Sequence, residues 1–187
     1  MDRKLFLKSC LSGACACAMG SASKLAAADS SQPAPQPPDA WRIKFAQDRY
    51  AKLLELLGAQ VGAEASSRLL QSLGGYCASG LPHLARHPGD LEGFIKDFAE
   101  AGDKITYDPE KKTVLIEGSP REECFCPLID KHKAPKTVCD CSLGWQRHIY
   151  QTLLGRKVNV ELVESVVRGG KRCVFKVQIT DEKLPAA

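Results

Sequence analysis

Residues 155–179 read GRKVNVELVESVVRGGKRCVFKVQI, two alternating segments around a glycine turn. Val158, Val160 and Leu162 alternate with other residues on the first segment, and Cys173, Phe175, Val177 and Ile179 do so on the second. A period of two places each apolar set on one face of a strand. Arg168-Gly169-Gly170-Lys171 supplies the reversal between them. The segment therefore predicts an antiparallel hairpin.

The same signal recurs upstream. Lys104–Tyr107 and Thr113–Glu117 flank Asp108-Pro109-Glu110-Lys111-Lys112, a run of turn residues, and predict a second hairpin. A further strand is expected around Glu122–Leu128. Helical spacing accounts for most of the rest. Trp41, Phe45, Leu53, Leu54 and Leu57 predict a first helix stopped at Gly58. A second, from about Ala63 to Ala78, turns Leu69, Leu70, Leu73 and Cys77 inward. Asp90 caps a third with Leu91, Phe94, Ile95 and Phe98 on its apolar side, and Ser142 caps a fourth carrying Trp145, Ile149 and Leu153 and closed by Gly155. Hairpins in succession, with helices to cover them, predict an α+β domain: an antiparallel sheet of about five strands under about four helices.

That domain is expected over residues 40–182. Before it, residues 29–39 crowd Pro33, Pro35, Pro37 and Pro38 into an extended spacer. Residues 1–28 have a basic start, a weakly apolar run from Cys10 to Gly20 and an Ala26-Ala27-Ala28 end, the three regions of a signal peptide cleaved near Ala28. Asp2-Arg3-Lys4-Leu5-Phe6-Leu7-Lys8 resembles the twin-arginine consensus with lysine in place of its second arginine. That resemblance implies export by the twin-arginine machinery to the periplasm, as an already folded chain; Sec export is the alternative.

The formal charge of +4 is mostly a property of the leader. Without Arg3, Lys4, Lys8, Lys24 and Asp2, 22 basic face 21 acidic side chains. Such a balance leaves no electrostatic footprint for nucleic acid and no basic stripe for a lipid surface. Beyond the leader no run approaches the roughly 18 to 20 apolar residues that span a bilayer, so no membrane association is expected after cleavage.

Cys10, Cys15 and Cys17 belong to the leader; Cys77, Cys124, Cys126, Cys139, Cys141 and Cys173 belong to the domain. Cys124-Phe125-Cys126 and Cys139-Asp140-Cys141 are separated by twelve residues. Two local chelates joined by a loop are a common way to present four sulfurs to one metal. Residues two apart on a regular strand lie some 6 to 7 Å apart, so each pair must bend to converge. Pro127 and the helix start near Ser142 supply that departure. Cys139 and Cys141 precede a helix N-terminus, where the dipole favours thiolate. A zinc or iron–sulfur site on Cys124, Cys126, Cys139 and Cys141, with Cys77 as a fifth participant, competes with structural disulfides, reactive redox thiols and unpaired core cysteines. Cys173, in phase with Phe175, reads equally as a small core residue. His132, in Asp-Lys-His-Lys, reads as solvated; His148 shares the fourth helix with Trp145; His83 and His87 flank prolines. No nucleophile elbow, phosphate loop or carboxylate pair is present.

These cysteine segments, the following Ser142-Leu143-Gly144-Trp145, the closing hairpin and Leu73-Gly74-Gly75-Tyr76-Cys77 together resemble small-molecule-binding domains of the 4-vinyl reductase type and their cysteine-rich bacterial relatives. The likeness covers roughly residues 60 to 180. It implies a fold like that of vesicle-tethering TRAPP subunits and a metal-binding or hydrophobic-ligand role, without naming a reaction. An exported, periplasmic metal-binding domain with a small-molecule pocket is thus the first expectation. A disulfide-held binding or scaffold domain, or a small-molecule hydrolase or redox enzyme, is the alternative.

Overall fold

The computed structural model describes residues 40–99 and 103–185. The leader and the Pro-rich spacer expected over residues 1–39 lie outside the described residues.

Helix α1 spans Ala40–Ser79 and is interrupted inside at Gly62, whose φ of 80° and ψ of 165° are not helical. The break expected at Gly58 thus falls at Gly62. That combination of angles is open to glycine and strained for any residue with a Cβ. Gly62→Ala should therefore cost about 1–3 kcal/mol of unfolding free energy. Gly58→Ala, whose added Cβ would meet nothing within 4 Å, should gain about 0.5–1 kcal/mol from helix propensity. Denaturant melts of the two variants separate them; equal effects would put the break elsewhere.

The buried line of the second half of α1 is Ser66, Leu70, Gly74 and Ala78. Leu70 is buried as expected, but the rest of the inward face is one residue off: Leu69 is 52% exposed, and Leu73 and Cys77 face solvent too. The reason is contact with helix α4, Asp140–Leu154. A Cβ on Gly74 would lie 1.8 Å from the Cys141 carbonyl oxygen, and one on Gly144 would lie 1.8 Å from that of Gln71. Small residues let the two backbones touch, and the leucine line, too bulky for that approach, is rotated outward. In the first half of α1 Leu54 is buried, whereas Trp41, Phe45 and Leu53 are exposed.

Helix α2 is Pro82–Arg86 and helix α3 is Leu91–Ala99. The Asp90 carboxylate accepts the Gly93 N–H at 2.8 Å, the expected cap of α3. Strands β1 (Lys104–Asp108), β2 (Thr113–Glu117), β3 (Arg156–Glu164) and β4 (Val174–Lys183) form one antiparallel sheet in the order β1-β2-β4-β3. Val177 sits opposite both Val114 and Val160, at the centre of the sheet. The main core packs Val114, Ile116, Phe175, Val177 and Ile179 against Phe94 of α3 and Ile149, Tyr150 and Leu153 of α4.

The chain is an α+β domain, as the hairpins predict. The sheet has four strands rather than about five. No strand forms at 122–128. Gly118 and Arg121 donate to the carbonyls of Cys173 and Lys171, prolonging the edge of β4. The chain then leaves the sheet between Pro120 and Pro127, two residues that cannot donate to a ladder.

Helix α4 is entered through a 3-10 turn, Lys136–Cys139, so its start needs no side-chain cap and Ser142 lies inside the first turn. Gly155 ends it in the left-handed conformation, φ 61°, with its N–H on the Gln151 carbonyl. No helix among the described residues is long and apolar enough to cross a membrane.

Candidate functional site

The segment that leaves the sheet after Gly118 is a folded loop rather than a strand, and it carries the first cysteine pair. Ile129 anchors it, buried, with its N–H on the Cys126 carbonyl at 3.1 Å. Asp130 accepts the N–H of His132 on its carboxylate and those of Lys133 and Ala134 on its carbonyl. Helix α1 holds the loop from the other side: Gln47 Nε2 donates to the Pro127 carbonyl at 2.8 Å, and Lys133 pairs with Asp48.

A second apolar cluster forms where α1, this loop and the start of α4 meet. Leu54, Leu70, Ile129, Val138, Cys139 and Val167 are its buried members, and Cys124, Cys126, Cys141 and Tyr50 pack against it. Both cysteine pairs therefore lie on one cluster, although twelve residues separate them in the chain. Cys139 is buried, with its sulfur 3.0 Å from the Ser165 hydroxyl. Cys124, Cys126 and Cys141 are half-buried, and Cys77 is exposed on the last turn of α1. Cys173 packs on the edge of the main core. All six are free thiols.

The electrostatics of the sulfurs report their mutual proximity. Burial pushes Cys141 up to about 11, reinforced by the like charges of Cys77, Cys126 and Cys124. Burial likewise raises Cys124; an N–H of Cys126 opposes this, while Cys126, Cys173 and Cys139 add to it. Cys139 is raised by burial, against the lowering effects of the Ser165 hydroxyl and Arg168. Tyr50 rises to about 12 through burial first, then Cys141, Cys126 and Cys77. Cys124, Cys126, Cys139 and Cys141 thus share the second cluster, whereas Cys77 is exposed and Cys173 lies against the main core.

Burial raises Cys139 and Cys141, the opposite direction from the thiolate preference expected at the start of α4. Four soft donors on an apolar floor match the donor chemistry of zinc or an iron–sulfur centre. Among the described residues no three His, Cys, Asp or Glu side chains are arranged as a preformed cage. Side-chain rotation of the half-buried sulfurs would have to close the site around an ion.

His132 is exposed, and His87 is tied to Asp97 at 2.8 Å and faces Phe94 edge-on, a structural role. His148 lines a groove between α1 and α4. Tyr50 and Ser165 are the site residues that cysteine spacing could not reveal. Tyr50 stands one helical turn before Leu54, which offers a signal; Ser165 offers none.

Against known proteins, the family of unknown function DUF6144 matches residues 120–184. No curated protein matches. Among solved structures, the chain is similar to a trafficking protein particle complex subunit 3 from Naegleria fowleri, covalently bound to palmitic acid. Identity there is 17% and the TM-score 0.43, over 76% of this chain and 99% of that one. A vinyl-4-reductase family protein from Methanocaldococcus jannaschii is 16% identical with a TM-score of 0.37, over 80% of this chain and 100% of that one.

Proposed function

We propose that this protein is an exported, periplasmic metal-binding domain holding zinc or an iron–sulfur centre through Cys124, Cys126, Cys139 and Cys141, with Cys77 at the open margin. One observation carries the reading: two cysteine pairs distant in sequence pack on a single apolar cluster as free thiols. When bound, the metal would supply a cross-link between the loop and α4, or an electron-transfer centre. The residues' own part is to present sulfur from two segments on a floor that Leu54, Leu70 and Ile129 keep dry. Export is supported by the basic, weakly apolar leader with its Ala26-Ala27-Ala28 end, and its Arg3-Lys4 pair favours the twin-arginine machinery.

Metal analysis of protein purified without air tests the reading. About one equivalent of zinc, or of an iron–sulfur cluster, with reduced thiols is expected. Less than about half an equivalent, with the thiols found oxidised, would overturn it in favour of disulfides. That second reading, a disulfide-held binding domain in an oxidising compartment, draws on the same placing of both pairs on one cluster.

A further inference from the structure

Two surface grooves among the described residues differ in charge. The one beside Asp48, Lys52, Glu55 and Lys133 is neutralised from within: Lys133 pairs with Asp48 and Lys52 with Glu55. It offers no charge to a ligand. The other runs between the second half of α1 and α4, with a volume of about 340 Å³, and its polar lining is Arg68, Gln71, Ser72, Arg147, His148 and Gln151. No carboxylate lines it.

Glycine shapes this groove. Gly144 brings the backbones into contact, and Gly75, having no side chain, leaves open space in front of His148, whose Cβ lies 3.8 Å from where a Cβ on Gly75 would be. Arg147 is the group best placed to use that space. Its Nη1 donates to Gln71 Oε1 at 2.6 Å, which orients the guanidinium, and it makes no ion pair among the described residues. A guanidinium fixed by a neutral acceptor keeps both its charge and its remaining N–H groups for a planar anion. Arg68 adds a second basic side chain to the lining; its partner Glu64 lies outside the lining, unlike Asp48 and Glu55, which line the first groove themselves. Gln151, Ser72 and His148 supply further polar groups for the remainder of a ligand.

We infer that this α1–α4 groove binds a small anion through a carboxylate or phosphate group held by Arg147, with Arg68 assisting. The site gives the small-molecule role a location and a chemical class, and it does not depend on the thiol centre holding metal.

The test is a titration of the isotope-labelled protein, as purified, with inorganic phosphate and separately with succinate at constant ionic strength, followed by amide NMR. Saturable shifts confined to residues 71–75 and 144–151, with a dissociation constant of about 5 mM or tighter for at least one anion, are expected. Phosphate alone would identify a phosphoryl ligand, succinate alone a carboxylate, and both an unselective anion site. Arg147→Gln should weaken binding at least about tenfold, and the exposed Arg68→Gln, which leaves the fold intact, about threefold. Lys133→Gln, in the neutralised groove, should bind as the unaltered chain does. Shifts that fail to saturate with either anion overturn the inference. So does unchanged binding in Arg68→Gln together with Arg147→Gln, or an equal loss in Lys133→Gln.

Discussion

Gly144→Ala is expected to lose about 3 kcal/mol or more of unfolding free energy, enough to lower the melting temperature of a domain this size by about 10 °C. The added carbon would lie 1.8 Å from the Gln71 carbonyl oxygen and 2.5 Å from its carbonyl carbon. Both are backbone atoms, so no rotamer change relieves the clash and the helices must part. Parting them opens the seam in which Ala78 shares the main core with Ile149, and disturbs Leu70 in the second cluster. Gly74→Ala should behave alike, since its carbon would meet the Cys141 carbonyl at the same 1.8 Å. The adjacent Gly75→Ala is the control: its nearest contact is 3.8 Å, and helix propensity should make it neutral or slightly stabilising. Thermal melts of the three variants decide the matter. If Gly144→Ala stayed within about 0.5 kcal/mol of the unaltered chain, the helices would not be in backbone contact.

The second large effect concerns metal. Structural zinc in a four-thiolate site is worth about 10–16 kcal/mol, so removing one ligand should weaken binding by roughly a hundred- to a thousandfold. Cys124→Ser and Cys141→Ser, one from each pair, should show this loss in full, because both sulfurs pack on the shared cluster. Cys173→Ser, at the margin against the main core, should stay within about tenfold. Competition against a chromophoric chelator under anaerobic conditions measures each. Unaltered affinity in Cys124→Ser would rule out one centre shared by both pairs. Metal removal should also lower the melting temperature, since ion binding is coupled to the stability of the loop it closes.

Much of the fold was legible because several of its boundaries rest on local chemistry. Alternation at Val158–Leu162 and Phe175–Ile179 gives the closing hairpin, Asp90 gives the start of α3 and Gly155 the end of α4. The inward face of α1 was not legible. Hydrophobicity ranks Leu69 and Leu73 above Ser66 and Gly74, whereas a helix pressed backbone to backbone on another selects for smallness. That shift by one residue is also why Cys77 faces outward. The alternation in Cys124-Phe125-Cys126 imitates a strand, but the prolines around it deny the ladder its donors. Within the candidate site both cysteine pairs were legible from spacing. Their shared floor was not, because Leu54, Leu70 and Val167 come from segments far apart in the chain.

The break at Gly62 divides the longest helix into parts with different obligations. Beyond it, Ser66, Leu70, Gly74 and Ala78 are locked into the α4 seam; before it, α1 is held by Leu54, Tyr50 and the bonds of Gln47 and Asp48 to the cysteine loop. Stability in such a molecule is not shared evenly. The leading half of α1 and the loop form one cooperative unit that can open at lower free energy than the seam. Amide hydrogens of residues 42–61 should exchange with solvent well before those of residues 66–78, and the thiols should become accessible with the early set.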